Sequence, residues 1–422
     1  MVVDKMSEVT TYVKTKDSGI EWIGSVPSHW RVHTLYQLVT QVKEKNSNLQ
    51  EKNLLSLSYG KIKRKDIDSP DGLLPASFDG YNIIEDGDIV LRLTDLQNDH
   101  TSLRVGLATE RGIITSAYTT LRPIDTSNSK YLYYLLHAFD LKKGFYGMGS
   151  GVRQGLNYAE VKELRVVLPG QDEQNAIVRF LDNQCGQIDS IIEEAKSSIE
   201  EYKKWRASII FEAVTKGLNP LAEMKDSHID WIGLVPSHWK LSRIKNELDN
   251  LDYLREPISA EKRENILGLY DYYGASGVID KIDDYNVDDK VLLIGEDGAN
   301  LRMRNLPLVY KAEGKFWVNN HAHILKVHDD NCYGFIAYLL EAGDYSVFIT
   351  GSAQPKLSQF NLMRFPIVIP PLVEQQKIEA YLDEKCSAID ALIREKKSLL
   401  SELEIYKRSL ILETVTGKRK VV

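Results

Sequence analysis

The chain has 422 residues, 43% hydrophobic and 27% charged, and 53 Lys+Arg against 60 Asp+Glu give a formal net charge of −7. That length exceeds what one core fills, since single cores stop growing near roughly 250 to 300 residues, and the acidic balance excludes a nucleic-acid binder working by bulk charge alone. No apolar run of about 18 residues and no apolar leader occurs, which predicts an unexported, cytoplasmic protein without a membrane partner. The cysteines Cys185, Cys332 and Cys386 form no CxxC pair, so neither a disulfide framework nor a thiolate zinc site is expected.

In chain order, residues 1–30 close on GIEWIGSVPSHW, which begins at Gly19 and returns as HIDWIGLVPSHW from His228. Trp22, Gly24, Pro27, His29 and Trp30 stand on Trp231, Gly233, Pro236, His238 and Trp239 at a constant offset of 209. A first insert follows over residues 31–155, with strand-like EDGDIVLRL and GIITSAYTTLRP and a short apolar helix, YLYYLLHAF. Residues 156–220 carry a strand, RVVLP, and then a long helix from near Gln171 to Gly217. Residues 221–240 hold the second tryptophan motif. A second insert over 241–356 contains DDKVLLIG, HAHILKV and YGFIAYLLEA. Residues 357–422 then restate the helical block at an offset of 201, placing Gln174 on Gln375, Leu181-Asp182 on Leu382-Asp383 and Cys185 on Cys386. The frames repeat, and the inserts share little that aligns. The first insert balances 16 basic against 14 acidic residues over 31–153, whereas 240–355 has 13 against 19.

Apolar residues recur at Ile188, Ala195, Tyr202 and Ile209, with Ile191 and Trp205 between them. The twin block shows Ile389, Leu403 and Leu410, with Leu392, Leu399 and Tyr406. This is a heptad stripe on two helices of about 45 residues, each roughly 65 Å long. Each stripe needs a cover, and its own copy supplies one. The expected fold is α/β (α+β): two globular domains separated by two long antiparallel helices in a coiled coil. The C-terminus near Gly417 would return to the first tryptophan motif, giving a pseudo-two-fold circular arrangement.

The doubled WIGxVPxHW, YYGASGVID from Tyr272, LLIGEDGANL from Leu292, GSAQPKL from Gly351 and PPxxEQxxIxxYL from Pro370 together resemble the specificity subunit of type I restriction-modification enzymes. The resemblance runs along nearly the whole chain in order. It implies that the inserts are target recognition domains for double-stranded DNA and that the helical blocks dock two methyltransferase subunits. Translocase-nuclease subunits would join them, with S-adenosylmethionine, ATP and Mg acting on the partners and no cofactor on this chain. The first insert departs from the pattern: it lacks a YYGxSG element and has GSGVRQGL where the second has GSAQPKL.

Base readout calls for side chains with paired donors or acceptors, Arg or Lys for guanine and Asn or Gln for adenine. In the first insert these are Lys61, Lys63, Arg64, Arg92, Gln97, Asn98, Arg104, Arg153 and Gln154; in the second, Tyr273, Ser276, Arg302, Arg304, Asn319, Asn320, Gln354 and Lys356. Each competes with a phosphate-contacting or merely solvated role, because half or more of protein–DNA bonds go to the backbone. Trp22, Trp30, Trp231 and Trp239 are candidates for partner docking, with packing of the domain–helix junction as the alternative. His321 and His323 share a strand face but have no third ligand at metal spacing.

No GxxxxGK[ST] and no glycine-rich strand–helix turn is present, so an enzyme is not expected. The competing reading is a coiled-coil scaffold that binds protein without reading DNA.

Overall fold

The computed structural model describes residues 10–68, 75, 77–96, 99, 101, 103–148, 155–264 and 268–421. The chain divides into two compact units, residues 1–195 with 398–422, and residues 196–397. Both are mixed α/β, and no described helix is long and apolar enough to cross a membrane.

In the first unit the insert builds a four-stranded antiparallel sheet in the order Val39–Gln41, Thr119–Pro123, Ile89–Leu91, Val105–Leu107. Helix α1 (Ser129–Leu141) packs on it through Leu132, Leu136 and Phe139, which join Ile89, Leu91, Val105 and Leu121 in one core. A separate hairpin pairs Leu55–Ser58 with Lys61–Arg64. Helix α2 (Gln171–Lys216) begins in this unit.

The second unit's insert is built differently. Its sheet has six strands in the order Leu248–Asn250, Ala322–Val327, Val287–Gly295, Val309–Val318, Tyr270–Gly274, Gly277–Ile282. Tyr270–Gly274 and Val309–Val318 run parallel, and the other neighbours are antiparallel. Helix α3 (Tyr333–Ala342) seals one face through Phe335, Ile336 and Leu339, and helix α4 (Leu372–Val415) starts in this unit.

The frames repeat to the residue. Thr15 pairs with Pro27 and Met224 with Pro236; Arg31 pairs with Leu168 and Lys240 with Ile369. Gln174 and Gln375 each donate from Nε2 to the carbonyl of Pro169 or Pro370 at 2.9 Å, closing the first turn of their helices. Tyr134 of α1 donates to Asp182 at 2.8 Å, and Tyr338 of α3 donates to Asp383 at 2.8 Å, so the repeated Leu-Asp pair anchors each insert's helix to a long helix.

Within each unit α2 and α4 run antiparallel. The first unit packs Ile188 and Ile192 of α2 in one core with Leu410 and Ile411 of α4; the second packs Ile210, Ala213 and Val214 with Ile378, Leu382 and Cys386. The seam corrects the predicted stripe by one residue. Its second position runs Ile192, Ile199, Arg206 and Ala213 rather than through Ile191 and Trp205, and Trp205 is 52% exposed. Leu392 is likewise outside, and Ile393 is buried in its place. Arg206 takes a seam position because Asp390 lies 3.1 Å away on α4.

Candidate nucleic-acid interface

The tryptophan motifs form sockets for helix ends. His29 Nε2 lies 2.8 Å from Glu173, and His238 Nε2 lies 2.8 Å from Glu374. Each carboxylate sits in the first turn of a long helix, where the macrodipole favours negative charge. The opposite helix ends stop at Gly217 (φ +73°) and Gly417 (φ +70°), both left-handed C-caps. A β-carbon at Gly417 would lie 2.3 Å from Pro27 Cδ, and one at Gly217 would lie 3.1 Å from the Trp239 ring. Each motif therefore binds one helix start and receives another helix end.

That packing consumes two of the four candidate docking residues. Trp30 is 0% and Trp239 1% exposed, so both rings are spent on packing against helix ends, the alternative the sequence left open for them. Trp22 packs on Phe139 at 5.2 Å and Trp231 stacks on Phe365 at 5.3 Å, its Nε1 donating to the Pro366 carbonyl at 3.3 Å. Both keep part of their surface free.

In the second unit the sequence motifs converge on one edge of the six-stranded sheet. Asn319 N–H donates to the Tyr273 carbonyl at 3.1 Å, Gly298 N–H to Pro355 at 3.0 Å and Leu357 N–H to Glu296 at 2.7 Å. Arg302 Nη2 donates to the Gly351 carbonyl at 3.0 Å, and His321 Nδ1 lies 2.7 Å from Asp297. The YYGASG turn, the GEDGAN loop, the Asn320 turn and the GSAQPKL loop thus form one surface, presenting Ser276, Arg302, Asn320, Gln354 and Lys356 to solvent. Tyr273 is half-buried there, edge-on to Phe316 at 5.5 Å, and burial pushes its phenol up. One candidate is corrected, and another is engaged at the surface. Asn319 is buried, its Oδ1 accepting from His321 N–H at 2.8 Å to shape the turn. Arg304, at φ +52°, donates to the Glu341 carbonyl at the end of α3.

Beneath this edge lies a chain of charges. Glu296 pairs with Arg255 and, at 3.0 Å, with Lys356 Nζ; Asp252 lies 3.3 Å from Arg255 and 2.6 Å from His323 Nδ1. Wholly buried His323 also contacts the Leu357 carbonyl through Nε2 at 2.8 Å, pinning the GSAQPKL loop to the sheet. Burial alone would raise Glu296 and Asp252. Hydrogen bonds from Arg255 and Lys356 to the first, and from His323 to the second, outweigh it and hold both below the usual carboxylate range. The two histidines bind separate carboxylates, and among the described residues no three metal-type ligands gather.

In the first unit Lys61, Lys63 and Arg64 lie on the exposed strand of the Leu55–Arg64 hairpin. Arg64 is bidentate to Glu110, with Nε at 2.8 and 2.9 Å from its two oxygens. Arg92 is half-buried, 3.7 Å from Asp99. Arg104 is corrected: it is 0% exposed, donating to the carbonyls of Arg92, Thr94 and Asp95 at 3.2, 2.7 and 3.2 Å and to Tyr146 at 2.9 Å. It pins a loop from inside. Gln97, Asn98, Arg153 and Gln154 lie outside the described residues.

Sequence reasoning missed Arg255, Glu296 and Asp297, which brace this surface from beneath. The acidic pair directly after the LLIG strand was a visible signal; the arginine, some 40 residues distant, carried none.

Residues 236–402 match the family model described as Type I restriction modification DNA specificity domain. A putative type I restriction enzyme specificity subunit of Haemophilus influenzae is 32% identical over 146 residues, covering 34% of this chain and 36% of that one. The putative type I restriction enzyme MjaX specificity subunit of Methanocaldococcus jannaschii is 30% identical over 119 residues, covering 28% and 26%. These matches span about a third of the relatives' own length. By fold, the chain is similar to one in a structure described as the basis of complex assembly and conformational transition of the type I R-M system, with TM-score 0.67, 14% identity and coverage of 92% of this chain and 98% of that one. The chain resembles a type I specificity subunit in sequence motifs, in these relatives and in fold.

Proposed function

We propose that this relative of the type I specificity subunits reads an asymmetric, bipartite stretch of double-stranded DNA, one part through each unit's insert. One observation carries the reading: the frames repeat register for register, while the inserts fold into sheets of four and of six strands. Equal frames suit two copies of one partner, and unlike inserts suit two unlike half-sites. The partners on the frames are two N6-adenine methyltransferase subunits, with translocase-nuclease subunits joining the assembly. S-adenosylmethionine, ATP and Mg belong to those partners, and this chain contributes no catalytic group. Each target adenine is flipped from the stack to react on its methyltransferase.

The test is selection of a random-sequence duplex library by the chain co-purified with its methyltransferase. A two-part motif with dissimilar halves, bound less tightly as salt rises, is the expected result. Salt-indifferent association with protein alone, and no enriched motif, would establish the scaffold instead.

A further inference from the structure

The first insert contains a device that the shared motifs do not describe. Leu55–Ser58 and Lys61–Arg64 form a two-stranded ribbon closed by Tyr59-Gly60, with φ of +46° and +76°. Positive φ at both turn residues belongs to the tight hairpin turn whose twist matches the strands, and Asn, Asp or Gly normally occupies its first position. Tyr59 sits there instead, at a conformational cost of about 1–3 kcal/mol. Its ring does not repay that cost inside the fold: it is 75% exposed and has no hydrogen bond or ring contact among the described residues.

The ribbon is braced and charged. A β-carbon at Gly60 would lie 3.0 Å from Leu103 Cβ, so the turn is seated against the segment leading into the Val105–Leu107 strand. Ile62 faces the core beneath, with Leu57 beside it, while Lys61 and Lys63 face outward. Neither lysine has an ion-pair partner among the described residues, whereas Lys356 in the second unit is paired with Glu296. Alternate residues on a strand stand about 6.8 Å apart, and one DNA strand carries a phosphate every 3.4 Å or so along the axis, so the two lysines span about two phosphates.

We propose that the Leu55–Arg64 ribbon enters the major groove at one half-site, with Lys61 and Lys63 on phosphates and Tyr59 against a base edge as a specificity-determining residue. A two-stranded ribbon fits that groove, about 12 Å wide. The assignment rests on the DNA-reading function above and says which element of the first unit performs it.

The test uses the full chain with its methyltransferase, the random-sequence duplex library as probe, and two variants. Tyr59→Gly relieves the positive φ, so its melting temperature should hold or rise, which removes misfolding as an explanation. It should relax one or two positions of a single half-site and weaken binding about ten-fold. Lys61→Ala/Lys63→Ala should keep the motif and lower the slope of log K against log salt by about 1.8. An unchanged motif in Tyr59→Gly, relaxation of both half-sites, or an unchanged salt slope would overturn the ribbon assignment while leaving DNA reading intact. A wild-type complex that selects no motif would overturn DNA reading itself, and the ribbon with it.

Discussion

Lys407 Nζ lies 2.6 Å from Asp189 Oδ1 across the two long helices of the first unit. Arg206 and Asp390, each 201 positions from its counterpart, repeat the pair at 3.1 Å in the second unit. A cation at a seam position is tolerated because the facing helix supplies its carboxylate in both copies, and a long side chain keeps its stem in the apolar seam.

Both partners are partly exposed, at 25% and 40% of side-chain surface, so screening limits the pair's worth to about 0.5–1 kcal/mol. Lys407→Met and Asp189→Ala should each lower the unfolding midpoint slightly, and a double-mutant cycle should return coupling of that size. Zero coupling would mean that apolar packing alone sets the register.

Trp30→Ala and Trp239→Ala should behave as core deletions, each costing about 3–5 kcal/mol, because both rings are buried against helix ends. Thermal unfolding of the free chain reads this directly. Loss of methyltransferase binding at unchanged stability would restore the docking role that burial removes.

His137 stacks on Tyr133 at 5.7 Å, and its Nδ1 has no partner among the described residues. Burial, followed by the charges of Lys407 and Arg408, pushes it down to about 4. The folded state therefore keeps the ring neutral where the unfolded chain, with an ordinary value near about 6.5, takes up a proton. Its contribution is full above that value and is lost progressively as pH falls toward 4, by about 2 kcal/mol between pH 7.5 and 5. Urea unfolding at the two pH values should show this loss in the wild type and a smaller one in His137→Phe.

Glu296→Gln should loosen the GSAQPKL loop. Arg255 and Lys356 would lose their shared carboxylate, at a cost of about 1–3 kcal/mol for half-buried charged hydrogen bonds. Limited proteolysis should show faster cutting within residues 351–357; unchanged cutting would mean that His323, Arg302 and the backbone bonds hold the loop without that carboxylate.

The frame was legible because its chemistry is written twice: a motif repeated at fixed offset predicts equal strand register, and Arg31–Thr34 and Lys240–Arg243 have it. The helices were legible in extent and off by one residue in seam. Trp205 is apolar and Arg206 is charged, so hydropathy chose the tryptophan; the carboxylate that admits the arginine sits 184 residues later. Placement at the surface was legible where a family motif carried it, as with Gln354 and Lys356. It was illegible where burial decides, since nothing local separates Arg104, spent on loop carbonyls, from Lys61, facing solvent.

The central claim is that each insert reads its own part of the target on a common frame. Replacing residues 31–155 with the first insert of another type I specificity subunit, and mapping methylated adenines in host DNA, tests it most directly. One half of the recognised motif should change and the other should persist base for base; a change in both halves, or in neither, would contradict the account.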